Sequence, residues 1–385
     1  MQIDRDQLVA LTRDMVRISS VNPMIDPTGP GEAELVAYLA PRLSALGAEV
    51  TIHEAAPGRA SLVARLAGAG GGPSLMLNAH LDTVGVAGMD DPFSGEIRDG
   101  RLYGRGAYDM KGSLAACVGA ISALVNSGLP LAGDLILAAV ADEEHASLGT
   151  ADVIARYRVD AAIVTEPTAL RICRAHKGFI WLQVETFGRA AHGSRPDLGI
   201  DANLAMGRVL AELAILQEEL RFRDPHPLIG TPSLHAATIQ GGTGLSTYAA
   251  HCVLQVERRT VPGEKVDEVV DEFRRLLERL SEKDPAFRAE LRVLMNREPF
   301  EVGSDGPLLA ALEQGAAEVI GRAPHVGESF WMDAALLSAA GIETVVIGPD
   351  GGGAHADEEW VDLESLELLA ATLASTALLY CGTVD

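Results

Sequence analysis

The chain has 385 residues, with 31 Lys and Arg against 54 Asp and Glu, a net charge of −23. That balance argues against a nucleic-acid binder and against docking on anionic lipid, both of which need a basic footprint. With 48% hydrophobic, 22% charged and 4% aromatic residues, the composition is that of a soluble globular protein of more than one domain, poor in rings on which bases could stack.

Apolar Leu8, Leu11, Met15 and Ile18 recur at helical spacing and predict an amphipathic helix over 4–18. The same opening stretch, MQIDRDQLVALTRDMV, has no apolar core of the signal-peptide kind. A second helix is expected over 32–46, stopping at Gly47. Strands follow at AEVTIHEA, ASLVARLA and SLMLNAHLD, and GEIRDGRLYGRG has the pattern of a hairpin. The longest uncharged run, Gly112 to Gly133, is long enough to span a bilayer. It is rich in Ala and Gly and contains Pro130, so a buried helix and a turn are expected there. Strand DLILAAVADEE, a helix near 150–157 and strands AAIVTEP and RICRAHKG complete an α/β pattern of apolar strands between helices.

From 177 the pattern changes. FIWLQVETF alternates, with Ile180, Leu182 and Val184 on one face. The order from there to AELRVLMNR is β-α-β-β-α-β, a ferredoxin-like α+β unit. It is expected as an insertion over 177–293 in an α/β domain formed by 1–176 and 294–385. The chain then returns to helices near 306–320 and 331–340, strand TVVIGP and a last helix at 363–380. Cys117, Cys173, Cys252 and Cys381 form no C-x-x-C pair, which disfavours a disulfide framework or thiolate zinc site and favours a reducing, cytoplasmic compartment.

Five motifs lie where strands end or loops begin, the place where ligands collect in α/β sheets. In NAHLDTV, His80 and Asp82 are two apart and project to one face, as a metal-binding imidazole and its supporting carboxylate would. In GRGAYDMKG, Asp109 sits in a glycine-rich turn. In AVADEEHAS, Glu143 and Glu144 are adjacent carboxylates at a strand end, whose mutual repulsion a divalent cation would relieve. One of the two would bind metal and the other serve as a base. IVTEP offers Glu166, and GPDGGGAHADEEW offers His355 in a loop shaped by glycines. Nitrogen and oxygen donors without thiolate suit Zn²⁺, Co²⁺ or Mn²⁺. Two imidazoles and three acids suffice for two metals sharing a carboxylate, which is hydrolytic chemistry.

This ordered set resembles the zinc-dependent acetylornithine deacetylase, succinyl-diaminopimelate desuccinylase, aminoacylase and carboxypeptidase G family, over nearly the whole chain. The resemblance implies a mixed-sheet zinc-peptidase-like catalytic domain with the inserted unit as lid and dimer interface. It implies two Zn²⁺ per subunit, with His80 and Glu166 on one, Glu144 and His355 on the other, and Asp109 between them. Asp82 would orient His80, and Glu143 would be the general base that moves a proton from the attacking water to the leaving amine. RAAHGSRP and VERRTVPGE resemble family segments that supply an oxyanion-stabilising histidine, His192, and a substrate-carboxylate clamp, Arg259. Asn203 in GIDAN resembles another substrate contact. The chain departs from the family pattern at Thr243 to Tyr248, after Gly241-Gly242, and at Glu257, which stands where an Asp is usual. Tyr108, His145 and Trp331 receive no role.

The activity expected on these grounds is deacylation of an N-acyl amino acid, of the acetylornithine type. A desuccinylase of the same family, or a dipeptidase or carboxypeptidase taking a small peptide, is the alternative. A metal-stabilised protein without catalysis is the remote one. The expected partners are that small molecule and a second copy of the chain, with no nucleic acid and no membrane.

Overall fold

The computed structural model describes residues 2–384. They form two compact units, one holding the chain up to Arg174 with Val302–Val326 and the segment from Met332 onward, the other holding Ala175–Glu301 and Gly327–Trp331. The second unit divides at 175 and 301 rather than at 177 and 293. The reason is that Ala289–Arg297 pairs along its whole length with Gly178–Phe187, so the chain cannot leave that sheet at 293.

The first unit is α/β. Its mixed sheet runs in the order Glu49–Ala56, Arg59–Leu66, Leu135–Val140, Leu75–His80, Ala161–Val164, Glu343–Val346, Ile172–His176. Leu75–His80, Leu135–Val140 and Ala161–Val164 are parallel neighbours, buried throughout, which is why they read as continuous apolar runs. Helices Arg5–Arg17, Ala33–Ala45, Gly112–Ser127, Pro307–Ile320 and Leu363–Cys381 contribute to one core with this sheet. Asp4 caps the first of these by accepting from Gln7 N, and Asp362 caps the last by accepting from Ser365 N. Leu363–Cys381 is the one helix among the described residues long and apolar enough to cross a membrane, and it packs against Pro307–Ile320 and Gly112–Ser127. The expected hairpin forms from Glu96–Arg98 and Arg101–Tyr103. It is extended by Trp360–Asp362 and Gly351–Gly352 into a small sheet that the sequence pattern did not signal.

The second unit is the β-α-β-β-α-β arrangement. Its antiparallel sheet has the order Ser233–Gly241, His251–Thr260, Gly178–Phe187, Ala289–Arg297. Helices Ala202–Arg221 and Val266–Lys283 bury their apolar stripes against Ile180, Leu182, Val184, Leu254 and Val256. Arg258 is wholly buried there because Glu264 accepts from it and Glu272 lies 3.8 Å away.

Candidate metal centre

Strand register places the first donors. Asn78 pairs with Val164, so Glu166, two residues on, stands level with His80, two residues beyond Asn78. His80 itself pairs with Val140, and the chain then turns at Asp142, whose φ of 69° is left-handed, to present Glu143 and Glu144.

Asp109 arrives on a loop that a single carboxylate organises. Glu359, fully buried, accepts from the backbone N–H groups of Gly106 (3.0 Å), Tyr108 (2.9 Å) and Asp109 (2.9 Å) and from Arg105 Nη1 (2.7 Å). Gly106 has φ 79°, and a Cβ there would stand 2.7 Å from Thr83 Cγ2, so the turn admits no side chain. His355 comes from the loop between Gly351–Gly352 and Trp360–Asp362. Pairing of Trp360 with Tyr103 brings that loop beside the Asp109 turn.

The two imidazoles meet the two oxygens of one carboxylate. His80 Nε2 lies 3.0 Å from Asp109 Oδ1, and His355 Nε2 lies 3.4 Å from Asp109 Oδ2. Glu166 is 3.6 Å from His80 Nε2, and Glu144 is 3.1 Å from His355 Nε2. Ligand atoms of His80, Asp109 and Glu144 lie within 4.8 Å of one another, as do those of His80, Glu143 and Glu166, so both groups could hold a metal ion. His80 Nδ1 is 2.9 Å from the carbonyl oxygen of Asp82. A carbonyl only accepts, so Nδ1 carries the proton and Nε2 is the nitrogen turned to the acids.

The Asp82 carboxylate works elsewhere than on the ring, from which it is 3.8 Å away. It accepts from the backbone N–H groups of Glu143 (3.1 Å) and Glu144 (3.2 Å) and from Asn22 Nδ2 (2.8 Å). Behind it Arg59 donates to Asp142, Asn22 and Glu32 in a buried network.

The electrostatics favour a cation. Burial, with Glu166 and Asp333 close by, pushes the Glu143 carboxyl well above the usual range, and burial does the same for Glu166. His355, hydrogen-bonded to Asp109 and Glu144, is raised to about 10. Burial opposes ionisation of Asp109, but hydrogen bonds from His355 and His80 hold its carboxyl below the usual range. Four carboxylates, buried or half-buried, gathered with the buried His80 and the exposed His355 fit divalent cations in place of the protons they draw.

Protons on this cluster give the metal-free protein a defined pH response. His355 is raised from 6.5 to about 10, so its contribution to stability is complete below 6.5 and is lost as pH rises toward 10. The raised carboxyls of Glu143 and Glu166 act in the same direction, because the folded chain binds their protons more tightly than the unfolded chain does. Calorimetry on chelator-treated protein should therefore show Tm falling between pH 6.5 and 10, and zinc should flatten the slope by displacing those protons. A metal-free Tm independent of pH in that window would contradict this electrostatic description.

Three further candidates lie in the second unit. His192 is exposed and pairs through Nδ1 with Ser194 Oγ at 2.8 Å. Asn203 is on the first turn of Ala202–Arg221, its side chain against Gly241 and Gly242. Arg259 donates from Nε to Glu257 Oε1 at 2.6 Å. Among the described residues, no hydrogen bond joins these three to one another.

The geometry also reveals residues that sequence reasoning passed over: Asn22, Glu32, Arg59, Asp142, Asp333 and Glu359. Asp142, in AVADEEHAS, and Glu359, in GPDGGGAHADEEW, stood inside quoted motifs beside the residues that drew attention; the other four lay outside them. Asp333 accepts from Thr150 Oγ1 at 2.5 Å, and burial raises its carboxyl to about 6.

The chain is similar to known proteins along most of its length. Residues 76–379 match the family model described as peptidase family M20/M25/M40. The chain belongs to that family. It is therefore a hydrolase of the metallopeptidase and deacylase group. An acetylornithine deacetylase of Myxococcus xanthus is 32% identical over 90% of this chain and 92% of its own. One from Proteus mirabilis is 28% identical over 95% of each. Among solved structures, aminopeptidase PepT of Bacillus cereus superposes with a TM-score of 0.81 at 20% identity, covering 99% of this chain and 100% of its own. The YXEP protein of Bacillus subtilis, titled a dinuclear metal binding peptidase of the M20 family, gives 0.75 at 18% identity, covering 99% of each. These two likenesses bear on the fold of the family member described here.

Proposed function

We propose that the chain is a two-zinc amidohydrolase that removes the acyl group from N-acyl amino acids, the reaction type for which its acetylornithine deacetylase relatives are named. His80 and Glu166 would hold one ion and Glu144 and His355 the other, with Asp109 contributing to both; Co²⁺ or Mn²⁺ would suit the same donors. Such ions polarise the scissile carbonyl and make the attacking water more acidic. Glu143 takes the proton from that water and delivers it to the leaving nitrogen. Asp82 fixes the backbone of Glu143 and Glu144 and, through its carbonyl, the ring of His80. Arg259 receives the substrate carboxylate, Asn203 contacts the substrate, and His192 stabilises the developing oxyanion in the site of a second copy, the enzyme working as a cytoplasmic homodimer.

The observation that carries this reading is the placement of His80 and His355 on opposite oxygens of Asp109. The test is metal analysis followed by a substrate panel on the zinc-loaded protein: N-acetyl amino acids, N-succinyl amino acids and dipeptides. Two zinc ions per chain and fastest turnover of N-acetyl substrates are expected. Turnover of dipeptides without turnover of N-acetyl amino acids would replace the deacylase by a dipeptidase or carboxypeptidase.

A further inference from the structure

Asn22 lies in SSVNP, a segment outside the five motifs, and is wholly buried in the first unit. Its backbone is fixed before its side chain acts. Val21 bridges Thr83, and the Asn22 N–H donates to the Thr83 carbonyl at 2.9 Å. The Asn22 carbonyl accepts from Ile25 N and Asp26 N, each at 3.0 Å. These contacts deliver the side chain to Asp82, 60 residues away in sequence.

Every bonding position of the amide is then used. Nδ2 donates to Asp82 Oδ2 at 2.8 Å and to Asp142 Oδ1 at 3.0 Å. Oδ1 accepts from Arg59 Nη1 and from Met24 N, each at 3.0 Å. A carboxamide has two N–H donors and two lone pairs, so none is spare. The partners also set its orientation. Carboxylate oxygens accept, while the guanidinium and the backbone N–H donate, so a flipped amide would set oxygen against oxygen at both acids.

The two acids it joins frame the Glu143–Glu144 pair. Asp82 and Asp142 stand two residues beyond His80 and Val140, which are paired in the parallel sheet. Asp142 precedes the pair in sequence, and Asp82 accepts from the backbone N–H groups of both glutamates. Both aspartates are wholly buried, and neighbouring buried carboxylates repel each other. Asn22 bonds to both at once. Arg59 supplies the positive charge behind it, donating to Asp142 at 2.6 Å and to Glu32 through its other nitrogens.

We propose that Asn22 is a positioning residue of the metal centre. It clasps the ends of Leu75–His80 and Leu135–Val140 together, and so holds Glu143 in place for proton transfer and Glu144 in place for the metal. This inference rests on the roles given to those two glutamates in the reading above. Asn22 touches neither side chain; it acts through Asp82 and Asp142.

The test uses the full chain as wild type, Asn22→Ala, Asn22→Asp, Glu143→Gln and the double variant Asn22→Ala with Glu143→Gln. Zinc affinity is read by competition with a chelator, in the absence of substrate. On N-acetyl amino acids, kcat and KM are read at saturating zinc, per folded chain and well below each Tm. Asn22→Ala should weaken zinc binding about tenfold or more and lower kcat about tenfold or more with KM within about twofold, the usual scale for groups that support metal ligands. Asn22→Asp keeps the shape and the acceptor oxygen but loses both donors, and it should lose at least as much. In the Glu143→Gln background the further loss of kcat on Asn22→Ala should shrink to about threefold or less, because the base being positioned is already gone. Wild-type zinc affinity in both Asn22 variants overturns the proposal. So does a kcat loss that multiplies in full onto that of Glu143→Gln, which would make Asn22 a packing residue. Absence of N-acyl turnover by the wild type rejects the deacylase instead. The zinc measurement then supports the clasp if affinity falls and overturns it if affinity holds.

Discussion

Glu143→Gln should keep both metals and lose at least about a hundredfold in kcat, the usual scale for a positioned general base. The carboxylates and imidazoles placed around Asp109 are all retained in this variant, so metal content measured after dialysis should match the wild type. Among the described residues, none is hydrogen-bonded to the Glu143 side chain, while its backbone N–H is held at 3.1 Å by Asp82. Its carboxyl is thus positioned from behind and unspent in front. Glutamine keeps the shape and loses only the ability to take a proton. The neighbouring change, Glu144→Gln, serves as the contrast: Glu144 faces His355 at 3.1 Å, and its loss should lower metal content as well as rate. A Glu143→Gln protein with wild-type kcat would remove Glu143 from the mechanism.

The second large effect is expected at Glu359→Ala, in the run that follows His355 and 250 residues from the Asp109 whose turn it holds. Its carboxylate satisfies three backbone donors and one guanidinium nitrogen, all around the Asp109 turn. Removing one partner of a buried pair such as Arg105–Glu359 costs about 3–5 kcal/mol, because the charge left behind has no solvent. Orphaned N–H groups each add a further penalty of roughly 1–3 kcal/mol where water cannot reach them. Asp109 would then lose its fixed backbone, and metal binding should fail along with thermal stability. Denaturant unfolding with parallel metal analysis checks both, and Glu359→Gln should recover part of each because its amide oxygen can still accept. A Glu359→Ala protein with full metal content and unchanged midpoint would show that the turn is held by other means.

The parts of this site that were legible in the sequence are those with a local pattern. His80, Glu143 with Glu144, and Glu166 end apolar runs, and an apolar run that stops at an acid or imidazole marks a strand end in an α/β sheet. The order of elements in the second unit followed from alternation alone. What was hidden depends on contacts distant along the chain. The strands Gly351–Gly352 and Trp360–Asp362 are too short to show a period, yet they dock the His355 loop beside the Asp109 turn. Arg59 is 83 residues from its partner Asp142, and nothing in RASLVARL distinguishes it from a solvated side chain at a strand start. The role of Asp82 shows the same limit at close range. Its position two residues after His80 was visible, but only the folded backbone decides that its carbonyl meets the ring while its carboxylate holds Glu143 and Glu144.

The most direct measurement is a crystal structure of the zinc-loaded chain with anomalous scattering recorded at the zinc edge. Two peaks are expected about 3.5–4 Å apart, one on each side of the Asp109 carboxylate, with His80 and His355 on different ions. A single peak, or two that do not share Asp109, would contradict the two-metal account.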